Sequence, residues 1–444
     1  MGAALQSDDA ILQYLEQTLG DRVLPWASVA AEQQRDIATA TRPGPAPMLA
    51  VAYPQTQAEL QEVMALAHGQ RWSVLPMGSS SKLAWGGLGQ PVTLGVSTAK
   101  LTQVVEHAVG DLTLTAEAGT PVASLQPMLQ QERQQLGFNP AYPERATLGG
   151  VIATADTGWM RQRYGGIRDM LIGVSLVRAD GQLVKAGGRV VKNVAGYDLM
   201  KLMTGSWGSL GLISEVTLRT YPRTEASKTL VITGSFDQLA ALIGQLLKSR
   251  LTPTGLTLVD SATLDRLQPQ AATAALLVRF QSVAIGVETQ AETLSTWAAA
   301  HDLVATPVTD GAEQTLWDNL QQQRDRHRLS AQNHRVTAKV GMRPNETTTI
   351  LQQLDATVPV LAAVTHVASG IGWIALDLQE AAQVTAMREI YQQSGGFLSV
   401  LEAPPAWKAN LDIWGYSGNA LSLMRRLKQQ FDPHSRLSPG RFLV

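Results

Sequence analysis

Apolar residues recur at helical spacing from Leu5 to Leu19, which predicts an amphipathic helix near the start of the chain. The run Arg42-Pro43-Gly44-Pro45-Ala46-Pro47 then stops regular structure, because proline fixes φ and removes an amide donor. Residues 1–45 therefore read as a helical N-terminal extension. From Met48 short apolar runs alternate with helical ones: a strand over Leu49–Tyr53, a helix over Gln57–Gln70 and a strand over Trp72–Met77 that enters a turn. After Pro222 strand-like stretches (Lys228–Thr233, Ala274–Phe280, Arg335–Val340) alternate with helical ones (Phe236–Ser249, Val287–His301, Glu313–His327, Asn345–Leu354). This order predicts an α+β layer with helices on one face of a sheet. The stretch Ala356–Leu376 carries no formal charge and is long enough to cross a bilayer, but Pro359, His366, Ser369, Gly370 and Gly372 interrupt it. It reads as two strands, Val358–Val367 and Ile371–Leu378, turning at Ser369-Gly370. A last helix over Asn419–Phe431 leads into a tail punctuated by Pro433, Pro439 and Gly440, expected to pack back on the rest. The resulting division is 1–45, 46–222, 223–418 and 419–444, with no fixed-period internal repeat.

Glycine is distributed unevenly. Residues 147–222 hold 13 glycines in 76 positions, whereas 223–420 hold 12 in 198, so the first stretch requires close backbone approach or positive φ. The chain has 444 residues, 36 basic against 37 acidic, and no cysteine. The absent basic excess argues against nucleic-acid binding. The absent cysteine excludes disulfides, thiolate nucleophiles and cysteine-ligated iron–sulfur clusters, so redox chemistry would need an organic cofactor. The acidic start, MGAALQSDDAILQYLEQTLG, is no secretory signal, and a cytoplasmic location is expected.

Three stretches carry candidate chemistry. Pro76-Met77-Gly78-Ser79-Ser80-Ser81-Lys82-Leu83 follows a strand, and its small residues and lysine suit an anion nest. It lacks the Gly-Lys-Ser/Thr of a Walker A loop. A serine-rich surface turn is the competing reading. The second stretch runs from Thr147 through Gly149, Gly150, Ala153, Thr154 and Gly158 to Tyr164, Gly165 and Arg168. Its small side chains let a flat or phosphorylated ligand lie against main chain. The third joins Lys192–Leu199 to Gly205-Ser206-Trp207-Gly208-Ser209-Leu210-Gly211-Leu212-Ile213, or else forms a set of tight hairpins.

The order of these stretches resembles the PCMH-type FAD-binding domain of the vanillyl-alcohol oxidase superfamily. The tail Phe431-Asp432-Pro433 with Leu437-Ser438-Pro439-Gly440 is similar to its FAD-linked oxidase, D-lactate dehydrogenase-like branch, which includes the flavin-binding E subunits of bacterial and cyanobacterial glycolate oxidases. The resemblance covers residues 48–222 and the tail, and is weak over 223–420. It implies an α+β fold: a two-subdomain FAD-binding domain with a smaller ferredoxin-like cap. It also implies that Gly78, Ser79, Ser80, Ser81 and Lys82 hold the FAD diphosphate, with Leu83 closing that loop. Thr147, Gly149, Gly150, Ala153, Thr154 and Gly158 would line the diphosphate and flavin, Ile213 would meet the adenine end through its main chain, and Tyr164, Gly165 and Arg168 fall in a further family block.

The chain departs from that family pattern twice. Met77 stands where relatives typically show the arginine of Arg-Gly-x-Gly-Thr, which shifts phosphate binding toward hydroxyls and Lys82. The cap motif His-x-Gly-Asp-Gly-Asn-x-His is missing, and His366 alone occupies a broadly corresponding strand–turn position. His366 and Arg441 remain the catalytic candidates, with Arg168 and Lys192 as further cations able to stand near a carboxylate. His327 and His334 lack neighbouring acids, so no metal site is expected. No histidine or cysteine lies between Met77 and His107, so FAD is expected to be held non-covalently. The resemblance then implies an FAD-binding subunit that oxidises glycolate or another small 2-hydroxy acid together with a paralogous flavoprotein subunit and an iron–sulfur subunit, reaching a membrane only through partners. The alternatives are a self-sufficient D-lactate or 2-hydroxy-acid dehydrogenase and a non-catalytic flavin-fold scaffold.

Overall fold

The computed structural model describes residues 8–44, 48–189, 197–268, 272–326 and 334–443, and the chain divides into two compact units. The first comprises residues up to Thr157, Gly166–Pro222 and Ser417 onward; the second comprises Gly158–Gly165 and Arg223–Tyr416.

The first unit holds two sheets. Strands β1 (Val23–Pro25), β2 (Ala50–Ala52), β3 (Val74–Met77) and β4 (Leu94–Ser97) lie in the order β1-β2-β4-β3, with β4 parallel to both neighbours and β1 antiparallel to β2. The crossover helix Gln57–Gly69 starts on Thr56, whose side chain accepts from the Glu59 amide. It packs Leu60, Val63, Met64 and Ala67 with Leu15 and Leu19 of the helix Asp8–Leu19 against Ala50, Ala52, Val74 and Val96. The alternate residues Val51, Leu75 and Met77 meet Val29 and Ile37. Residues 8–44 are thus more than the expected helical extension. They add an edge strand and cover both sheet faces, because three-residue strands bury too little surface to stand alone. In the second sheet β5 (Val104–Ala108), β6 (Thr113–Glu117), β8 (Leu171–Val177), β9 (Leu183–Gly187) and β10 (Leu212–Pro222) run antiparallel in the order β5-β6-β10-β8-β9. The short β7 (Gln134–Leu136) pairs with the far end of β10.

The tail returns to the first sheet: the Val74 amide donates to Arg436 O at 2.8 Å and the Ser438 amide to Val74 O at 2.9 Å, extending the sheet beyond β3. Lys428 holds this arrangement. Its buried Nζ donates to Asp432 Oδ2 (2.6 Å), Ser209 O (2.8 Å) and Leu437 O (2.9 Å), while Asp432 accepts from the amides of Arg436 and Leu437.

The second unit is built on one antiparallel eight-stranded sheet. Its strands are β11 (Ala226–Gly234), β12 (Gly255–Asp260), β13 (Ala274–Ser282), β14 (Val304–Val308), β15 (Arg335–Gly341), β16 (Val360–His366), β17 (Ile371–Asp377) and β18 (Phe397–Glu402), ordered β14-β11-β13-β12-β16-β17-β15-β18. Each half, β11–β14 and β15–β18, is a split β-α-β-β-α-β unit with the same internal strand order, and the halves join through β12 and β16. A topological repeat is therefore present where the sequence shows none. Period-2 alternation splits the apolar residues: Leu276, Val278 and Phe280 face one layer, Ala275 and Leu277 the other. Helices Phe236–Leu247, Ala284–Ala300, Thr347–Thr357 and Ala382–Gln393 cover the first face. Helices Ser261–Leu267 and Asp310–Arg326, with Trp159 and Met160, cover the second, so the expectation of helices on one face is corrected. Residues 158–165 belong to this unit, so the expected 46–222 block is not continuous: Trp159 stacks on Trp317 with ring centroids 4.4 Å apart.

Candidate functional site

A cavity with about 760 Å³ of empty space, part of it open to solvent, lies in the first unit. Three loops build it. Residues 76–83 leave the end of β3, the short helix Leu148–Thr154 lays Gly149, Gly150 and Ala153 against it, and residues 207–213 run into β10. Thr98 and Arg441 complete the lining.

Sterics explain the small residues. A Cβ on Gly78 would stand 2.3 Å from Thr147 Oγ1, and one on Gly149 would stand 2.9 Å from Ala118 Cβ. Thr147 in turn begins the helix Leu148–Thr154, its Oγ1 accepting from the Gly150 amide at 3.3 Å. The end of that helix is bound by the third loop, where the Gly205 amide donates to Ile152 O and the Trp207 amide to Ala153 O, both at 2.9 Å. Ser80 (φ 65°) and Trp207 (φ 55°) sit in the left-handed region without being glycine, a strain that concentrates where loops must aim at a ligand. Gly208 (φ 68°) also needs its size, since a Cβ there would meet Pro76 Cβ at 3.2 Å and Ser438 Oγ at 3.3 Å.

The first loop spends its side chains on the protein. Ser79 Oγ donates to Arg145 O, Ser80 Oγ lies 3.7 Å from Met77 Sδ, and Ser97 Oγ donates to Gly78 O at 2.9 Å. Lys82 Nζ is 3.2 Å from Asp156 Oδ2 with both side chains buried, and Asp156 Oδ2 also accepts from the Ala141 amide at 2.7 Å. Arg441 is buried as well. Its guanidinium donates to Ala40 O (3.3 Å), Leu83 O (2.9 Å) and Trp85 O (2.9 Å), and burial lowers its pKa to about 10, which leaves it charged at neutral pH.

Gly78, Ser79, Ser80, Ser81, Lys82, Leu83, Thr147, Gly149, Gly150, Ala153, Thr154, Ile213 and Arg441 all line this one cavity. Gly158, Tyr164 and Gly165 do not. They lie in the second unit, where Gly158 and Gly165 turn the chain at φ 78° and 82° and Tyr164 packs beside Trp159 and Trp317. Arg168 is exposed on the short helix Ile167–Met170. His366 ends β16 in the second unit, its Nδ1 3.1 Å from Thr257 Oγ1, and burial lowers its pKa to about 3. It is a neutral side chain in a packed layer and a poor proton acceptor. Lys192 and His327 lie outside the described residues, and His334 stacks on Trp407. Among the described residues no cluster of histidine, aspartate and glutamate could hold a metal ion. Trp207, Gly208, Gly211 and Leu212 were signalled by the glycine density of the third stretch; Thr98, a single threonine after a strand, carried no signal.

This lining fits a dinucleotide that carries a diphosphate: a floor of Gly149, Gly150 and Ala153, cradles that a Cβ would fill, two buried cations and no lining acid. The comparisons agree. Residues 48–187 match the family described as FAD binding domain, and residues 414–442 match the C-terminal domain of FAD linked oxidases. The chain is 34% identical over 215 residues to the glycolate oxidase subunit GlcE of Escherichia coli, a match spanning 48% of this chain and 60% of that protein. It is 25% identical over 434 residues to the glycolate oxidase subunit GlcD of Bacillus subtilis, spanning 89% of each. Saccharomyces cerevisiae D-lactate dehydrogenase [cytochrome] 1 is 29% identical over 47% of this chain and 36% of its own length. In fold the chain is similar to p-cresol methylhydroxylase with substrate bound (TM-score 0.75, 14% identity, 99% of this chain and 97% of that one). It is also similar to alkyldihydroxyacetonephosphate synthase (TM-score 0.65, 18% identity, 88% and 76%). The fold is thus the α+β fold that matches PCMH-type FAD-binding oxidases, and with an FAD-binding domain matched at residues 48–187 the chain takes FAD as its cofactor.

Proposed function

We propose that this chain is the FAD-bearing subunit of a multi-subunit 2-hydroxy-acid dehydrogenase that oxidises glycolate to glyoxylate. The observation that carries the reading is the similarity to two glycolate oxidase subunits, one of them matched along 89% of both chains. Bound FAD would take up the two electrons and the hydrogen leaving the hydroxyl-bearing carbon. The chain's own residues supply the cradle for that cofactor. For the hydroxyl proton, the sequence lacks the paired-histidine cap motif, and His366, at the broadly corresponding position, is buried in a packed layer with its pKa lowered to about 3. This supports the assignment of substrate oxidation to a paralogous flavoprotein subunit, and of electron transfer to an iron–sulfur subunit, since a chain without cysteine offers no thiolate for a cluster. No helix among the described residues is long and apolar enough to cross a membrane, and we place the assembly in the cytoplasm, with any membrane contact made through the partners.

Similarity to D-lactate and D-2-hydroxyglutarate dehydrogenases favours a second reading, a self-sufficient dehydrogenase of 2-hydroxy acids. An absorption spectrum of the purified chain during anaerobic addition of glycolate and then D-lactate separates them. Flavin that stays oxidised until the partner subunits are added supports the subunit reading. Bleaching by the isolated chain supports the second reading and overturns the first, and a chain that stays colourless after incubation with FAD leaves only a scaffold role.

A further inference from the structure

Two cationic side chains line the FAD cavity, Lys82 and Arg441, and no acidic side chain does. Lys82 is already compensated: its Nζ lies 3.2 Å from Asp156 Oδ2, with both side chains less than a tenth exposed. Arg441 is 4% exposed, and its three hydrogen bonds go to the neutral carbonyls of Ala40, Leu83 and Trp85. Among the described residues no carboxylate lies within ion-pair distance of it. A buried charge facing only neutral dipoles is costly, and the cost is relieved when an anion arrives. The rings of oxidised FAD are neutral, and its diphosphate is the part that is anionic at pH 7. We propose that Arg441, rather than Lys82, supplies the positive charge that holds the diphosphate of FAD.

The assignment rests on FAD being the occupant of this cavity. It departs from the sequence expectation in one respect: the lysine in the phosphate-type loop is consumed by Asp156, and the cation arrives from the C-terminal tail, more than 350 positions away in sequence. The carbonyls of Leu83 and Trp85 that orient the guanidinium directly follow the Gly78–Lys82 loop, so Arg441 is anchored at the foot of that loop. A planar guanidinium held on fixed carbonyls can present its remaining N–H groups to phosphate oxygens. Arg441 is on this account a cofactor-binding residue, not a catalytic one.

The test strips FAD from the purified chain and measures dissociation constants for FAD and for riboflavin, which lacks the diphosphate, by quenching of flavin fluorescence. Arg441→Gln is expected to weaken FAD by about ten- to a hundredfold while riboflavin changes by less than about twofold. The double variant Lys82→Met/Asp156→Asn, which replaces the internal ion pair by neutral groups, is expected to lose several-fold less FAD affinity than Arg441→Gln does. Unchanged FAD affinity in Arg441→Gln, or an equal loss for FAD and riboflavin, overturns the assignment. Should Arg441→Gln fail to fold, the double variant decides, because a loss above about tenfold there gives the diphosphate to Lys82. A natural chain that binds riboflavin and FAD equally refutes the diphosphate contact itself, and one that binds neither refutes the cofactor reading on which it rests.

Discussion

Gly78 sits where a single methylene tests the architecture of the cavity proposed to hold FAD. Its φ lies outside the left-handed region, so the residue is required for space and not for conformation. In Gly78→Ala the new Cβ would lie 2.3 Å from Thr147 Oγ1 and 3.1 Å from Thr147 Cγ2, more than 1 Å inside ordinary contact for the first of these. Thr147 cannot simply turn away, because its Oγ1 accepts from the Gly150 amide and starts the helix that floors the cavity. Either the loop moves outward, at an overpacking cost of about 1–3 kcal/mol, or the cap is lost, at about 0.5–2 kcal/mol. At roughly 2–4 °C per kcal/mol for a unit of this size, the melting temperature of the apo chain should fall by about 1–12 °C. FAD affinity should fall by at least about tenfold, because both responses displace lining main chain. Thermal melts followed by circular dichroism and flavin-fluorescence titrations measure the two effects. Gly150→Ala is the control: its Cβ would be 3.1 Å from the same oxygen, within a helix where alanine gains up to ~1 kcal/mol over glycine, so its net effect should be small. Adding Thr147→Ala to Gly78→Ala removes the obstructing side chain, so the double variant should lose less than the sum of the two singles. A Gly78→Ala chain with unchanged melting temperature and unchanged FAD affinity would refute the steric account.

Four further outcomes follow from the same structure. His366 has its pKa lowered to about 3 in the folded chain, so the unfolded chain binds the extra proton between that value and its ordinary 6.5. Folding stability should therefore drop by up to about 1.4 kcal/mol per pH unit as pH falls below roughly 6, and urea titrations of His366→Gln should show that slope reduced. Lys428→Met strands the buried Asp432 and releases the carbonyls of Ser209 and Leu437, which should cost about 3–5 kcal/mol in chemical denaturation, whereas Lys428→Met/Asp432→Asn should recover part of it. In the second unit Glu313→Ala leaves Arg279 unpaired between Trp159 and Trp317, with a similar loss expected and a change in tryptophan emission that reports it. Acid precipitation should leave the flavin in the supernatant, and yellow protein in the pellet would contradict non-covalent binding.

What was legible in the sequence and what was not divides along a physical line. Local signals were strong where one residue type answers one local demand. The apolar spacing of Gln57–Gln70 marks a helix observed at Gln57–Gly69, and the glycine-bearing loops that meet at Gly78 and Thr147 both stand out by their small residues. Signals failed where the answer depends on a partner remote in sequence. The edge strand Val23–Pro25 is defined only by its pairing with Ala50–Ala52, and a three-residue strand has no periodicity to read. Residues 158–165 followed a flavin-type motif without a break, yet Trp159 finds its partners at Arg279 and Trp317, more than a hundred positions on.

The two cations of the cavity show the same division at the level of charge. Lys82 stands in a loop that reads as a phosphate nest, so its neighbours in sequence recommend it; its neighbour in space, Asp156, neutralises it. Arg441 stands in a tail that the sequence offers as packing back on the rest, with the arginine as a catalytic candidate, and its burial against Ala40, Leu83 and Trp85 is a product of the whole first unit closing on itself. The side chain a ligand meets is set by which charges remain uncompensated after folding, and that balance depends on the contacts between distant segments, not on the residues of any one loop.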